Sequence, residues 1–287
     1  MKDALFLGSL RLLPKNALSR VVGAAAHAPL PSPVSKTAVK LFAWAYDIDT
    51  DEAELPLDAY ATVGDFFTRR LKKGARAIDR RPGFAVSPAD GRVLNSGRFS
   101  DGHLIQAKGR EFALADLLRD TGDAARFADG GWVTVYLSPR DYHRVHHPVE
   151  GSVTASRYIP GHLWPVNRAA VENIEDLFCV NERLVTFVDS PLGEVATIMV
   201  GATSVGHITV SYDDDVETNR AREAAHRHYD PALSVARGDE LGIFHLGSTA
   251  IVLFANPKVE LESLADGQAI RLGEPIARGP KRRRKKS

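Results

Sequence analysis

Residues 241–254 read LGIFHLGSTAIVLF, and the apolar runs in this stretch are the first indication of a β-rich fold. Two short β-rich runs, Leu241–His245 and Ala250–Phe254, flank the four residues Leu246-Gly247-Ser248-Thr249. Short apolar runs bounded by Gly, Pro, Asp or Asn are typical of strands. Further runs of this kind occur earlier in the chain, at Arg92–Asn95, His103–Ala107, Trp132–Leu137, Leu184–Val188, Val195–Val200 and His207–Tyr212.

A few helical patterns interrupt these runs. Leu114–Arg119 and about Ala169–Phe178 read as helices within the β-rich part, and residues 34–46 and 62–72 read as helices before it. The chain has no regular β-α alternation, which argues against a doubly wound sheet. We therefore predict an α+β fold, in which a compact, mostly antiparallel β-rich domain follows an amphipathic helical N-terminal region.

The N-terminal region has amphipathic patterns at residues 3–13 and 14–26. Leu, Phe and Val on one side and Lys and Arg on the other are typical of a helix that lies in a membrane interface, but a helix packed on the protein's own core has the same pattern. Residues 28–33, APLPSP, read as a linker. The helix at 34–46 is expected to bury one apolar face, formed by Val39, Phe42, Ala43 and Tyr46.

No run of 18 or more apolar residues occurs, so no helix is expected to span a bilayer. We divide the chain into a membrane-associating segment with its linker at 1–33, a main domain at 34–278 and a basic tail at 279–287. The tail holds six consecutive basic residues, which leave 31 basic and 36 acidic residues in the rest of the chain. Such a block is usually a solvated tail, and anionic lipid or nucleic acid are its alternative partners. The chain has no other nucleic-acid motif, so we expect no nucleic-acid partner.

The chain has one cysteine, Cys179, so a disulfide framework and a Cys-rich zinc site are excluded. It lies in an apolar run and is expected to be a small buried side chain in a reducing compartment.

Two clusters of polar residues come before the stretch at 241–254. The first is SPADG at 87–91, which alone predicts a turn. The second is SPRDYHRVHHP at 138–148, with three histidines in five residues. A metal site is one interpretation, although the chain has no HExxH and no second cluster with ligand spacing. On a strand, His143 and His147 would point one way and His146 the other, so one histidine could serve in acid–base chemistry.

The third cluster is Gly247-Ser248, which reads either as a bend or as a reactive bond. A glycine carbonyl can be approached closely, and a base can activate the serine hydroxyl to attack it. The peptide bond would then become an ester. Loss of the Ser248 α-proton would expel the Gly247 carboxylate, and the resulting dehydroalanine would hydrolyse to a pyruvoyl group.

Taken in order, SPADG, SPRDYHRVHHP and FHLGST resemble the phosphatidylserine decarboxylase proenzymes of the bacterial membrane type. Other stretches that carry the resemblance are FFTRRL at 66–71, QAKG at 106–109, PGHLWPVN at 160–167 and VGATSVG at 200–206. The resemblance covers nearly the whole chain. It identifies the main domain as a decarboxylase domain.

The resemblance implies that Asp90, His146 and Ser248 form a relay for self-cleavage between Gly247 and Ser248. The products would be a large subunit, 1–247, and a small subunit, 248–287, that remain together as a heterodimer, and further dimerisation is left open. His143 is a candidate for substrate contact or for protonating the intermediate. His147 and His207 depart from the family pattern and receive no catalytic role.

The resemblance also implies a covalent pyruvoyl cofactor derived from Ser248, and no metal. Its ketone would form a Schiff base with phosphatidylserine in a membrane, release CO2 and leave phosphatidylethanolamine, as a step in phospholipid biosynthesis. A diacyl substrate stays in the bilayer, so the enzyme is expected to be peripheral, on the cytoplasmic side of the cell membrane.

Three alternatives remain open from the sequence. A pyruvoyl enzyme of this kind could act on a soluble amino acid. A serine hydrolase could use the same three residues with Ser248 intact, although the chain lacks the GxSxG elbow. A lipoyl-like β module or membrane adaptor would use no catalytic serine at all.

Overall fold

The strand Ser248–Phe254 lies inside an eight-stranded sheet. The computed structural model describes residues 15–107, 110–203, 207–216, 218, 223–245 and 248–280. Its helices are α1 (Lys15–Ala26), α2 (Ser32–Ala45), α3 (Val63–Phe67), α4 (Leu114–Leu118), α5 (Thr121–Phe127), α6 (Arg168–Asn173) and α7 (Leu177–Val180), with a 3-10 turn at Leu57–Ala59.

The strands, in chain order, are β1 (Phe84–Val86), β2 (Gly91–Arg98), β3 (His103–Ala107), β4 (Arg110–Ala113), β5 (Gly131–Leu137), β6 (Arg144–His146), β7 (Gly151–Ile159), β8 (Arg183–Ser190), β9 (Gly193–Val200), β10 (Ile208–Val210), β11 (Ala225–Val235), β12 (Glu240–Phe244), β13 (Ser248–Phe254), β14 (Glu260–Leu261), β15 (Ala269–Ile270) and β16 (Pro275–Arg278).

One eight-stranded sheet organises the fold, with the order β11-β7-β8-β9-β13-β5-β2-β15. All of its neighbouring strands are antiparallel. Three smaller sheets have the orders β1-β16-β14, β10-β12-β6 and β3-β4. The predicted α+β fold with mostly antiparallel strands is confirmed.

The large sheet is covered on both faces, and β13 shows how. Its residues alternate between two apolar clusters, because successive side chains of a strand point to opposite faces. Ile251 and Leu253 pack in one cluster, and Val252 and Phe254 pack in the other. All four are buried. The continuous apolar run of β13 therefore belongs to a strand that is buried on both sides.

Helix α2 lies outside this sheet and buries only one face. Val39 and Ala43 pack with Phe66 and Tyr60 in a third apolar cluster, as the sequence predicts for the helix at 34–46. Tyr46 was expected on the same face, but it follows the helix end and is exposed, which corrects that part of the prediction. None of the helices among the described residues is long and apolar enough to cross a membrane.

Two predicted helices are shorter than expected. The helix expected over 62–72 ends at Phe67, and Leu71 instead forms a β-bridge with Ala53. The helix expected at about Ala169–Phe178 divides into α6 and α7, because Asp176 has a φ of 51° and interrupts it. The helix expected at 3–13 lies outside the described residues.

Candidate active site

Asp90 lies in the turn between β1 and β2, at the start of a close approach between two backbones. A Cβ at the next residue, Gly91, would lie 2.1 Å from the carbonyl oxygen of Tyr136. Only glycine fits there, which gives the Asp-Gly pair of the SPADG motif a packing reason. The Leu272 backbone N–H donates to Asp90 Oδ1 at 2.8 Å. The carboxylate is buried and fixed in place.

Arg76 holds the Asp90 carboxylate. Its Nε lies 2.9 Å from both carboxylate oxygens, and its Nη2 lies 2.5 Å from Oδ2. The same guanidinium binds Glu52 Oε2 at 2.6 Å. The two carboxylates raise the pKa of Arg76, against the effect of burial. Among the described residues, Asp90 makes no hydrogen bond to His146.

His146 is the third residue of β6, and its imidazole is oriented by two groups. Nδ1 lies 2.8 Å from the carbonyl oxygen of Gly238, and Nε2 lies 3.3 Å from the Tyr142 hydroxyl. Since a carbonyl can only accept, the neutral ring carries its proton on Nδ1 and presents a lone pair at Nε2. Burial lowers the His146 pKa. The ring is therefore a neutral base near pH 7.

The backbone brings the Asp90 turn and His146 together. The backbone N–H of His146 donates to the carbonyl oxygen of Pro88 at 2.8 Å. The negative charge of Asp90 acts on the imidazole and slightly offsets the lowering of its pKa. The two residues of the expected relay therefore belong to one site, in which Arg76 binds the carboxylate and Gly238 binds the imidazole.

His143 directly precedes β6 and is fully buried. Its Nδ1 lies 2.8 Å from the Asp141 carbonyl oxygen, and its ring packs on Phe67 with 3.9 Å between centroids. Burial lowers its pKa to about 3, so the ring is neutral. Nε2 has no hydrogen-bond partner among the described residues. The Nε2 lone pair of this ring can therefore accept a hydrogen bond from a ligand.

Ser248 is the first residue of β13 and pairs with Leu137 at the end of β5. Gly247 and the Ser248 side chain lie outside the described part of the chain. On the other side of the expected cut, β12 pairs with β6, and Glu240 is the register partner of His146. The strand before the expected cut is therefore hydrogen-bonded to the strand that carries His146.

Other histidines surround this region. His147 is buried with neither ring nitrogen hydrogen-bonded among the described residues, and burial lowers its pKa to about 4. His245 has its pKa lowered to about 4 by burial, and its ring lies 4.7 Å from that of His207. No group of three or more potential ligands in the described ranges is arranged to hold a metal ion.

Sequence reasoning did not identify Arg76, Tyr142 or Gly238 as parts of the site. Tyr142 precedes the histidines in the quoted motif and could have been chosen from its spacing to His146. Arg76 and Gly238 lie in loops without a pattern of their own. Cys179 is half-buried, and burial raises its pKa to about 12, so its thiol stays protonated.

The chain is similar to known proteins along most of its length. The sequence profile of the family described as phosphatidylserine decarboxylase matches residues 63–278. A protein of Anaeromyxobacter sp. (strain K), named phosphatidylserine decarboxylase proenzyme, is 48% identical over 279 residues, which cover 96% of this chain and 99% of that protein. Proteins with the same name from Myxococcus xanthus and Psychrobacter arcticus are 46% and 42% identical, over 96% and 93% of this chain and 99% and 96% of their own lengths.

Proposed function

Because the chain belongs to the phosphatidylserine decarboxylase family and is a decarboxylase, we propose that it cuts itself between Gly247 and Ser248 and then converts phosphatidylserine to phosphatidylethanolamine and CO2. The observation that carries this proposal is the neutral His146 imidazole. His146, with its basic Nε2, lies on β6, and β6 pairs with β12, the strand that leads to the proposed cut.

Self-cleavage begins when His146 takes the proton of the Ser248 hydroxyl, which then attacks the Gly247 carbonyl. The peptide bond becomes an ester between Gly247 and the Ser248 oxygen. A base removes the Ser248 α-proton, and the C–O bond breaks to release the Gly247 carboxylate. The remaining dehydroalanine takes up water and loses ammonia, which leaves a pyruvoyl group at the new N-terminus. Asp90 supports the positive charge that His146 acquires.

The sheet supports the proposal that both chains stay together after the cut. Residues 248–287 contain β13, β15 and β16, which pair with strands of the large subunit. β13 is hydrogen-bonded on both sides, to β5 and β9. β15 pairs with β2, and β16 pairs with β1. Separation of the subunits would break all of these pairings and expose the apolar core.

The pyruvoyl group supplies a ketone for the substrate amine and an electron sink for the loss of CO2. The chain's own residues must then handle the protons. The orphaned Nε2 of His143 fits this role, because a buried polar atom without a partner is costly unless a ligand satisfies it. We assign His143 to substrate contact and proton transfer. Its neutral form takes a proton at Nε2 from the substrate ammonium, which must lose one before the amine can react, and returns it after CO2 has left.

The outer face of α2 supports a peripheral association with the membrane. Val34, Leu41 and Trp44 lie on this face and are exposed, Trp44 by 79%. Lys36 and Lys40 are exposed on the same helix. Exposed apolar residues beside basic ones are typical of a surface that enters the lipid interface. The N-terminal amphipathic pattern at 3–13 would add to it.

The same helix lies close to the site. Phe42 of α2 packs on Phe66 and Phe67, with 6.4 and 6.1 Å between ring centroids. Phe67 in turn contacts His143. One layer of aromatic side chains therefore separates α2 from His143. A headgroup at the interface has a short distance to travel to the site.

The function is tested by a decarboxylation assay with purified full-length protein. Wild type should release CO2 from phosphatidylserine in vesicles and leave phosphatidylethanolamine, whereas Ser248→Ala should release none. Faster release from soluble serine or phosphoserine than from vesicles would replace the lipid substrate by a soluble one. Undiminished activity in Ser248→Ala would contradict the pyruvoyl mechanism.

A further inference from the structure

Arg69 is a buried cation that lacks an ionic partner among the described residues. It follows α3 and is only 4% exposed. Neither Nε nor Nη1 has a hydrogen-bond partner there, and Nη2 reaches only the Arg140 carbonyl oxygen, at 3.3 Å. We propose that Arg69 forms a subsite for the phosphate group of the substrate, an inference that rests on the proposed function.

The two carboxylates whose charges act on Arg69 are already bound. The charges of Asp90 and Glu52 act on its guanidinium. Both carboxylates, however, are held by Arg76, whose Nη2 lies 2.5 and 2.6 Å from them. Burial without a paired anion is costly for a guanidinium, so the free protein carries a buried cation that a ligand can neutralise.

A cleft gives a ligand access to Arg69. The cleft has a volume of about 390 Å³, and its wall includes Tyr60, Thr68, Arg69, Arg70 and Arg144. The Tyr60 hydroxyl is buried, and its proton has no acceptor among the described residues. Two carboxylates also line the cleft, Glu54 and Asp65, and both are exposed to solvent. The buried Tyr60 and Arg69 of the cleft wall therefore carry donors without an acceptor among the described residues.

Phosphate matches these donors. The planar guanidinium can donate two parallel hydrogen bonds to a phosphate, and a tyrosine hydroxyl can add a third. The substrate's other anion, its carboxylate, must leave as neutral CO2. A buried cation that bound the carboxylate would stabilise the ground state and slow the reaction. The phosphodiester keeps its charge throughout, so Arg69 can bind it without this penalty.

The location of Arg69 also fits a phosphate next to the reacting amine. Phe67, two residues earlier, packs on His143. The charge of Arg69 reaches His143 and contributes to the lowering of its pKa. A headgroup with its phosphate on Arg69 would place its serine portion towards His143.

Steady-state kinetics on mixed micelles tests the subsite. Arg69→Gln should raise KM for phosphatidylserine by about tenfold or more, as expected for the loss of charge-assisted hydrogen bonds, with little change in kcat. Arg69→Lys keeps the positive charge but loses the two parallel N–H donors of the guanidinium, and should give an intermediate KM. Arg80→Gln removes an exposed arginine outside the cleft and should match wild type. An unchanged KM in Arg69→Gln would overturn the proposal.

Direct binding separates the subsite from the proposed function. Calorimetry on Ser248→Ala, with and without Arg69→Gln, would use glycerophosphoserine and inorganic phosphate as probes, so neither cleavage nor turnover is needed. Arg69-dependent binding of both probes identifies a general phosphate site, and binding of glycerophosphoserine alone identifies a headgroup site. Binding of both probes that is independent of Arg69, or no binding, refutes the subsite. Arg69-dependent binding in a protein that never decarboxylates phosphatidylserine would refute the proposed function instead.

Discussion

His146 donates a hydrogen bond from Nδ1 to the carbonyl oxygen of Gly238 at 2.8 Å. This contact fixes the tautomer of the ring, because a backbone carbonyl has no proton to give. The lone pair at Nε2 then faces the Tyr142 hydroxyl. The group that orients the His146 imidazole is therefore a backbone carbonyl, while the Asp90 carboxylate is held by Arg76.

The first prediction concerns the base itself. His146→Ala should slow self-cleavage by about 100-fold or more, which is the usual contribution of a general base. The neighbouring His147→Gln is the matched control, because the His147 ring packs near Tyr212, whereas the His146 ring packs near Tyr142. The rate is followed on gels after synthesis of the proenzyme. Equal rates for His146→Ala and wild type would remove His146 from the mechanism.

The second prediction concerns pH. Burial lowers the His146 pKa from its ordinary value of 6.5, so the neutral, basic form persists to lower pH. Cleavage should stay constant from pH 8 to about 6.5 and decline only below that. The charge of Glu240 raises this pKa, so Glu240→Gln should move the decline to still lower pH.

Glu111→Gln, which removes an exposed carboxylate on β4, is the control for the pH profile. Its profile should coincide with that of wild type. A decline that starts well above pH 6.5 in wild type, or a shift to higher pH in Glu240→Gln, would contradict the assignment of His146 as the titrating group.

The third prediction concerns the Arg76–Asp90 ion pair. Removal of one partner of a buried pair leaves an uncompensated charge, so Arg76→Gln should lower the free energy of unfolding by about 3 kcal/mol. Arg81 forms an equally short ion pair with Asp79, but it is 59% exposed. Arg81→Gln should leave stability nearly unchanged, because solvent screens the pair.

Urea denaturation of both variants in the uncut Ser248→Ala background measures this difference. The background is needed because a single unfolding free energy is not defined for a protein already cut into two chains. Equal stabilities for the two variants would show that the Asp90 carboxylate does not depend on Arg76.

The fourth prediction concerns the membrane. Trp44→Ala combined with Leu41→Ala should weaken partition into anionic vesicles by about tenfold or more, since each side chain contributes roughly 1.5–3 kcal/mol when fully buried. Activity on vesicles should fall in parallel, while activity on a short-chain soluble substrate should be kept. Thr37→Ala on the same helix is the control. Unchanged partition would exclude the outer face of α2 as the membrane contact.

Patterns within one segment could be predicted from the sequence. Alternation along a strand separated His143 and His147 from His146, and the structure buries the first two more deeply. The positions of most strands along the chain could be predicted from apolar runs such as 250–254. The assignment of His146 as the proposed base came from the family resemblance, since alternation separated the histidines but did not show which of them serves in acid–base chemistry.

Contacts between distant segments could not be predicted. The Gly238 carbonyl reaches His146 across 92 residues, and no residue pattern marks a backbone acceptor. Strand β11, which pairs with β7, was not predicted because its sequence, AHRHYDPALSV, is polar and contains a proline. The exposure of Tyr46 depends on where α2 ends, and the end of a helix is the least certain part of a periodic pattern.

Intact-mass spectrometry of purified wild-type protein and of Ser248→Ala tests self-cleavage most directly. Wild type should give two chains, the smaller one beginning at residue 248 with a blocked group lighter than serine. Ser248→Ala should give one chain of full mass. A fully active wild-type preparation that consists of a single unbroken chain would contradict the account.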